Sequence, residues 1–149
     1  MKAVIQRVSR ASVSVDGKIT GQIGEGLMVL LGVDREDDEK DLEYLVKKIT
    51  AMRIFEDEQE KMNLALADVD GSLLVISQFT LLASTKKGNR PSFTQAGPPE
   101  MSNALYEQFI ADCEKLGFHV EHGIFGAHME VSLVNDGPVT IVIDSRDKN

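Results

Sequence analysis

The sequence predicts an α/β fold: a single compact domain in which a mixed β-sheet forms barrel-like layers beside two main helices, in the order β2-(βα)2-β3. Three observations lead there. Residues 1–33 alternate or run apolar in the manner of strands, with turn signals between the runs. Two later stretches carry apolar residues at helical spacing. Each of these follows a continuous apolar run, the mark of a strand buried on both faces. At 149 residues and 42% hydrophobic, the chain suits one domain burying roughly 70% of its unfolded surface.

Residues 2–8 read as the first strand. Ala11, Val13 and Val15 then alternate with polar residues, Asp16-Gly17 is a hairpin signal, and Ile19, Gly21 and Ile23 continue on the far side. Gly24-Glu25-Gly26 turns the chain into the apolar run Leu27 to Val33, a buried strand. Leu42, Leu45, Val46, Ile49 and Met52 form one stripe of an amphipathic helix. Glu36, Asp37, Asp38 and Glu39 crowd its start, where the helix dipole favours negative charge, and Lys47 and Lys48 lie toward its end. The acidic cluster therefore reads as a helix start and solvated surface rather than a metal site. The polar stretch Glu56 to Lys61 reads as an exposed turn.

Ser72 to Ile76 is the next buried strand, and it delivers Ser77-Gln78-Phe79-Thr80. Residues 83–99 form a Gly/Pro/Lys-rich loop long enough to suggest a functional role. A second helix spans about residues 100–116, with Leu105, Phe109, Ile110, Cys113 and Leu116 inward and Gly117 as its C-terminal cap. Strands over 120–122, 128–134 and 139–143 complete the sheet. There is no repeat and no linker.

Composition narrows the function. The net charge is −8 and the pI near 4.8. Proteins that wrap duplex nucleic acid show a broad basic face, because phosphate neutralisation supplies most non-specific affinity. A contact with nucleic acid here must be local, for instance at one single-stranded end. No run approaches the ~20 apolar residues that cross a bilayer. The start, Met1 to Arg7, is a strand pattern interrupted by polar residues, unlike a signal peptide. The single cysteine, Cys113, excludes an internal disulfide and a multi-cysteine metal cluster, so the cytoplasm is the natural reading. Within its helical pattern Cys113 reads as a buried structural thiol.

Two short segments carry most of the functional signal: Ser77-Gln78-Phe79-Thr80-Leu81 and Asn135-Asp136-Gly137-Pro138-Val139-Thr140. Each is a polar cluster at the end of a strand-like run, where a scaffold can hold backbone groups toward a ligand. Familiar constellations are missing: there is no Gly-x-Ser-x-Gly elbow, no Cys-x-x-Cys, no His-Glu-x-x-His and no Gly-x-x-x-x-Gly-Lys. His119 and His122 would point to opposite faces of a regular strand, which argues against a shared metal. His128 reads as an ordinary histidine that could line a pocket. Thr80 is the one hydroxyl placed for chemistry, but a threonine nucleophile needs a base beside it and no sequence neighbour supplies one. Its role stays open between nucleophile, positioning hydroxyl and plain strand residue.

In these two segments the chain resembles the D-aminoacyl-tRNA deacylases, also called D-tyrosyl-tRNA deacylases. The likeness extends to Met1 to Val8, to Gly26 to Val33 and to Lys87-Gly88-Asn89-Arg90-Pro91-Ser92-Phe93, and runs nearly end to end. The resemblance implies a small cytoplasmic homodimer, without metal or cofactor, that hydrolyses the ester joining a D-amino acid to the 3′-terminal adenosine of tRNA. It implies that the Gly137-Pro138 peptide is cis and enters the active site of the partner subunit, that Ser77, Gln78, Phe79 and Thr80 line that pocket, that Arg7 braces the Gly-Pro loop, and that Leu81 and Phe125 flank the terminal adenine.

The chemistry has its own logic. An aminoacyl ester is already activated by the neighbouring ammonium and the vicinal 2′-hydroxyl. Backbone N–H groups near Phe79 and Thr80 could bind the developing oxyanion, at roughly 3–4 kcal/mol per well-placed donor, with the 2′-hydroxyl orienting the attacking water. No side chain is then the nucleophile. A rigid Gly-Pro turn suits selection of handedness, and glycine, having no side chain to clash, should also be accepted. Lys86, Lys87 and Arg90 are ordinarily a solvated loop cluster; beside a pocket for a tRNA end they become phosphate contacts. Phe79 and Phe125 are ordinarily core, yet the glycines around Phe125 leave room for a base to stack. Two other classes stay open: a Thr80-dependent hydrolase of small esters, and a non-enzymatic dimeric RNA-binding accessory protein.

Overall fold

β1 runs unbroken from Lys2 to Val15, and the rest of the sheet is built around it. The structure, a computed structural model, describes residues 1–148. Asp16 and Gly17 both adopt positive φ, 51° and 78°, the geometry of a two-residue hairpin turn whose twist matches its strands, and the chain returns as β2 (Lys18–Ile23). β3 (Gly26–Gly32) pairs antiparallel with the first half of β1, and β2 with its second half. β1 therefore changes partner where the polar pair Ser9 and Arg10 is exposed. The two sequence segments expected on either side of that pair are one strand, because the polar interruption marks a change of neighbour rather than a turn.

After α1 (Glu39–Ala51) come a small hairpin, β4 (Phe55–Glu56) and β5 (Met62–Leu64), and then β6 (Ser72–Ser77), which lies parallel to β3. α2 (Pro99–Lys115) leads to β7 (Val120–His122), parallel to β6. β8 (Glu130–Asp144) covers the free side of β1 antiparallel. The strands expected over 128–134 and 139–143 thus join into one, with the β1 register shifting between Gln6 and Arg10 to accommodate the residues around Gly137. The Gln22 amide donates to Glu121 Oε1 at 3.4 Å, bringing β2 against β7 and nearly closing the sheet. The result is the anticipated α/β domain with two main helices.

The alternation along β3 and β6 explains their continuous apolar character. Leu27, Val29, Leu31, Leu73 and Val75 pack beneath α1 and α2 with Leu42, Leu45, Ile49, Phe109 and Cys113. Met28, Leu74 and Ile76 face the other way, onto Val8, Val13 and Ile23 inside the curled sheet. Both faces of these strands are dry, as a parallel pair requires.

At the start of α1, Asp38 accepts from the Lys40 amide at 2.9 Å while Asp41 accepts from the Asp38 amide at 3.0 Å, a reciprocal cap. Asp37, in the same acidic cluster, is buried instead: it pairs with the Met1 ammonium at 2.7 Å and with Arg146 at 3.3 Å. On α2, Phe109, Ile110 and Cys113 face inward as expected, with Tyr106 and Ser102 added. Leu116 does not: it lies past the helix end and is 59% exposed. Gly117, at φ +97°, terminates the helix as anticipated. Ile19, expected to continue the alternation inward, is exposed near the tip of the hairpin. Among the described residues no helix is long and apolar enough to cross a membrane.

Candidate active site

β3 and β6 run parallel side by side, so their carboxyl ends open at the same edge of the sheet, the place where α/β folds most often bind ligands. A cleft of about 490 Å³ lies there. Its walls come from Val33 beyond β3, from Ile76, Ser77, Gln78 and Phe79 at the end of β6, from Ala96 and Gly97 ahead of α2, and from the segment Phe125 to Met129 before β8.

The Ser77 to Thr80 segment is held from its backbone. The Gln78 amide donates to the Leu31 carbonyl at 2.8 Å, which fixes the end of β6 against β3. The chain then leaves the strand: Phe79–Leu82 is a 3₁₀ turn, closed by the Leu81 amide on the Gln78 carbonyl at 3.3 Å and by the Ala83 amide on the Thr80 carbonyl at 3.1 Å. Gly32 makes this packing possible, since a Cβ there would stand 2.9 Å from the Gln78 carbonyl oxygen and 2.8 Å from the Leu82 side chain. Thr80 is therefore no strand residue. The amides of Phe79 and Thr80 are the first N–H groups of a short turn, which have no carbonyl within the turn to reach. Phe79 stands in the cleft wall, and Thr80 follows it just past the residues that line the cleft.

The Thr80 side chain is exposed, and its Oγ1 accepts from the Gln78 side-chain amide. No carboxylate, histidine or lysine is hydrogen-bonded to it among the described residues. Phe79 is no core residue either: it is 57% exposed and meets Phe93 edge-to-face with ring centroids 5.2 Å apart. Phe125 is half-buried, lines the cleft, and leans on Tyr106 at 6.0 Å. Tyr106 donates to the Val75 carbonyl at 3.0 Å; burial, with the Glu107 charge beside it, raises its pKa, so it serves as a neutral strut. Leu81 is half-buried in the 3₁₀ turn, behind the cleft rather than along its wall.

Gly137-Pro138 is a cis peptide. The loop is exposed and does not line the cleft of its own chain. It is held from below by Arg7, only 5% exposed, whose Nε donates to the Asp136 carbonyl at 3.0 Å and whose Nη1 donates to the Ile54 carbonyl at 2.7 Å. Asn135 closes the loop from the side, its Oδ1 accepting from the Val139 amide at 3.0 Å and its Nδ2 donating to Thr140 Oγ1 at 3.1 Å. Gly137 has φ +138°, and a Cβ there would lie 2.7 Å from the Val139 side chain. The structure thus separates the predicted residues into two groups, a cleft wall (Ser77, Gln78, Phe79, Phe125) and a braced loop (Arg7, Gly137, Pro138).

Sequence reasoning missed Val33, Ala96, Gly97, Ser102 and Met129 as cleft walls. Nothing marks an apolar or small residue as cleft-forming until the topology brings it there. His128, read as an ordinary histidine, does line the cleft.

The sequence model of a family described as D-Tyr-tRNA(Tyr) deacylase matches residues 4–144. The chain belongs to the D-aminoacyl-tRNA deacylase family. Among relatives named D-aminoacyl-tRNA deacylase, that of Anaeromyxobacter dehalogenans is 58% identical over 146 residues, covering 98% of each chain. That of Cytophaga hutchinsonii is 58% identical over 149 residues, covering 99% of each. Of solved structures, one titled c-Myc DNA Unwinding Element Binding Protein superposes with a TM-score of 0.91 at 44% identity, over 97% of this chain and 98% of that one. A probable eukaryotic D-amino acid tRNA deacylase, at 18% identity and a TM-score of 0.79 over 95% of this chain and 97% of that one, shares the fold. This protein is accordingly a D-aminoacyl-tRNA deacylase, a hydrolase.

Proposed function

We propose that this protein hydrolyses the ester joining a D-amino acid, or glycine, to the 3′-terminal adenosine of tRNA, and that it does so as a homodimer in the cytoplasm. In each active site the cleft of one copy receives the Gly137-Pro138 loop of the other. The observation that carries this reading is the separation described above: the loop is exposed, braced by Arg7 and Asn135, and absent from the cleft of its own chain. A second copy is what brings the two together.

In this mechanism the ester carbonyl lies against the amides of Phe79 and Thr80. A water oxygen attacks the carbonyl carbon, and the electron pair of the C=O moves onto the oxygen held by those amides. Collapse expels the ribose 3′-oxygen, which takes a proton, and leaves the free amino acid and tRNA. The 2′-hydroxyl of the substrate orients the water. Each donor is worth roughly 3–4 kcal/mol in the transition state, and each 1.4 kcal/mol is about a factor of ten in rate. An ester already activated by its ammonium needs no stronger catalyst, which fits a Thr80 hydroxyl with no base hydrogen-bonded to it among the described residues. The stiff Gly-Pro loop occupies the space an L side chain would need, while Phe125, in the cleft wall, supports the adenine.

A complementation experiment tests the arrangement. One variant blocks the cleft (Ala96→Trp) and another spoils the loop (Gly137→Val). Mixed and re-equilibrated, they should recover about a quarter of wild-type turnover, because random pairing makes half the dimers mixed and gives each one intact site. No recovery, with both variants folded and mixed dimers formed, would place cleft and loop in the same chain.

A second reading, a non-enzymatic nucleic-acid-binding protein, draws on the name of the 44%-identical solved structure. Tight RNA binding without D-specific turnover would favour it.

A further inference from the structure

All 24 acidic residues of this chain lie outside residues 71–99, a stretch that carries three cations, Lys86, Lys87 and Arg90. In a protein of net charge −8 this is the longest stretch free of acidic residues. The fold concentrates the asymmetry. Ser84 and Ser92 exchange backbone hydrogen bonds at 2.8 and 2.9 Å, closing residues 85–91 into a narrow hairpin that is exposed throughout. All three cations stand on that hairpin, and none forms an ion pair among the described residues.

The hairpin is fixed to the cleft on both sides. Ahead of it, the 3₁₀ turn begins at Phe79 in the cleft wall; behind it, Phe93 packs on Phe79, and Ala96 and Gly97 form the opposite wall. The Arg35 amide donates to the Gln95 carbonyl at 2.9 Å and its guanidinium to the Thr94 carbonyl at 3.2 Å, which pins the returning strand and adds a fourth cation at its base. Phe79 and Phe93, 57% and 37% exposed, present aromatic surface between the cations and the cleft mouth.

We infer that the 84–92 hairpin is the surface that grips the phosphodiester backbone of the RNA leading into the cleft, with the Phe79–Phe93 pair as a stacking surface for an unpaired base beside it. This rests on the function proposed above and adds the direction from which the RNA arrives. Cations and exposed aromatic rings side by side are what single-stranded RNA recognition uses, charge for the backbone and a flat face for the bases. An acidic peptide would use the cations but not the rings. The net negative charge of the rest of the chain disfavours a broad RNA contact, so a short patch suffices to set orientation.

The test is equilibrium binding of an uncharged RNA hairpin with a single-stranded 3′ tail, measured between 50 and 200 mM salt for wild type and for the triple variant Lys86→Gln, Lys87→Gln, Arg90→Gln. Loss of three phosphate contacts should weaken binding roughly 10- to 100-fold near 0.1 M salt and lower the slope of log Kd against log salt by about 2 to 3. The charge-keeping variant Lys86→Arg, Lys87→Arg, Arg90→Lys should stay within about twofold of wild type. Equal affinity and slope in wild type and the glutamine variant overturn the inference, as does equal weakening by the charge-keeping variant, which would make the hairpin a shape element only. Because the RNA is uncharged, these outcomes are independent of whether wild type cleaves D-aminoacyl-tRNA, which is measured separately and bears on the function alone.

Discussion

The Arg7 guanidinium donates to the carbonyl oxygen of Asp136 at 3.0 Å, tying the middle of the first strand to the residue that precedes Gly137. The same side chain donates to the Ile54 carbonyl at 2.7 Å and stands 3.5 Å from Glu56. One buried cation thus organises three carbonyl or carboxylate partners under the loop. Arg7→Lys keeps the charge but loses the planar fork, and Arg7→Ala leaves the Ile54 carbonyl buried without a donor. We expect Arg7→Ala to cost about 2–3 kcal/mol in denaturant unfolding. Arg7→Lys should be milder in stability yet still slow turnover, since the loop loses its two-point brace.

Gly137→Ala introduces a side chain at φ +138°, into contact with Val139 and 3.2 Å from Arg7 Nη2. The neighbouring atoms are a valine side chain, the Val139 main chain and a pinned guanidinium, so the backbone must move. Such strain costs of order 1–3 kcal/mol. The expected outcome is a folded protein, by circular dichroism, with D-aminoacyl-tRNA turnover strongly reduced and RNA binding through the 84–92 hairpin unchanged.

Glycyl-tRNA should be cleaved and L-aminoacyl-tRNA left intact, because an exclusion set by the space beside the α-carbon has nothing to reject in glycine. Single-turnover rates on the three esters check this. Intact glycyl-tRNA alongside cleaved D-aminoacyl-tRNA would contradict selection by exclusion.

Asp41 shows a pH effect remote from the cleft. Burial pushes its carboxyl up, but the Ser145 hydroxyl at 2.6 Å, the Asp38 amide and the charges of the N-terminus and Arg146 outweigh it and hold the carboxyl below the usual carboxylate range. A carboxylate lowered in the folded state adds stability that is complete above its unfolded pKa of about 3.9 and is lost as pH falls through the folded value. Urea midpoints should therefore fall on acidification below about pH 4, and Ser145→Ala should flatten that dependence. An unchanged acid profile in the variant would remove Asp41 from the account.

Cys113 is buried, and burial pushes its thiol up to about 12, with Asp112 and Glu114 adding to the effect. A thiol that is neither ionised nor accessible does not react. We expect no labelling by a thiol reagent at pH 8 in native protein and complete labelling in denaturant.

Much of the fold was legible because local pattern and burial agree. Asp16-Gly17 forms the hairpin its dipeptide announces, and the stripe from Leu42 to Ile49 is buried as its spacing demands. Failures occurred where tertiary partners decide. Ser9 and Arg10 look like a break but sit where β1 exchanges β3 for β2. Leu116 fits the helical spacing but falls one residue beyond the last turn. Asp37 reads as one more acidic residue at a helix start, and only the fold brings the Met1 ammonium onto it. At the site, Ser77 to Phe79 and Phe125 were visible as polar or aromatic punctuation, whereas Ala96 and Gly97 carry no chemical mark. Thr80 looked like a candidate nucleophile because a hydroxyl is conspicuous in sequence, while the amide beside it is not.

The central claim is that main-chain donors, not a side-chain nucleophile, perform the hydrolysis. The most direct measurement is kcat on D-aminoacyl-tRNA for Thr80→Ala, Phe79→Ala and Phe79→Pro, the last deleting one amide N–H at the first position of a turn, where proline is tolerated. The account predicts that Thr80→Ala stays within about tenfold of wild type and that Phe79→Pro falls roughly 100- to 1,000-fold below Phe79→Ala. Abolished turnover in Thr80→Ala with RNA binding intact, and a Phe79→Pro variant as active as Phe79→Ala, would contradict it.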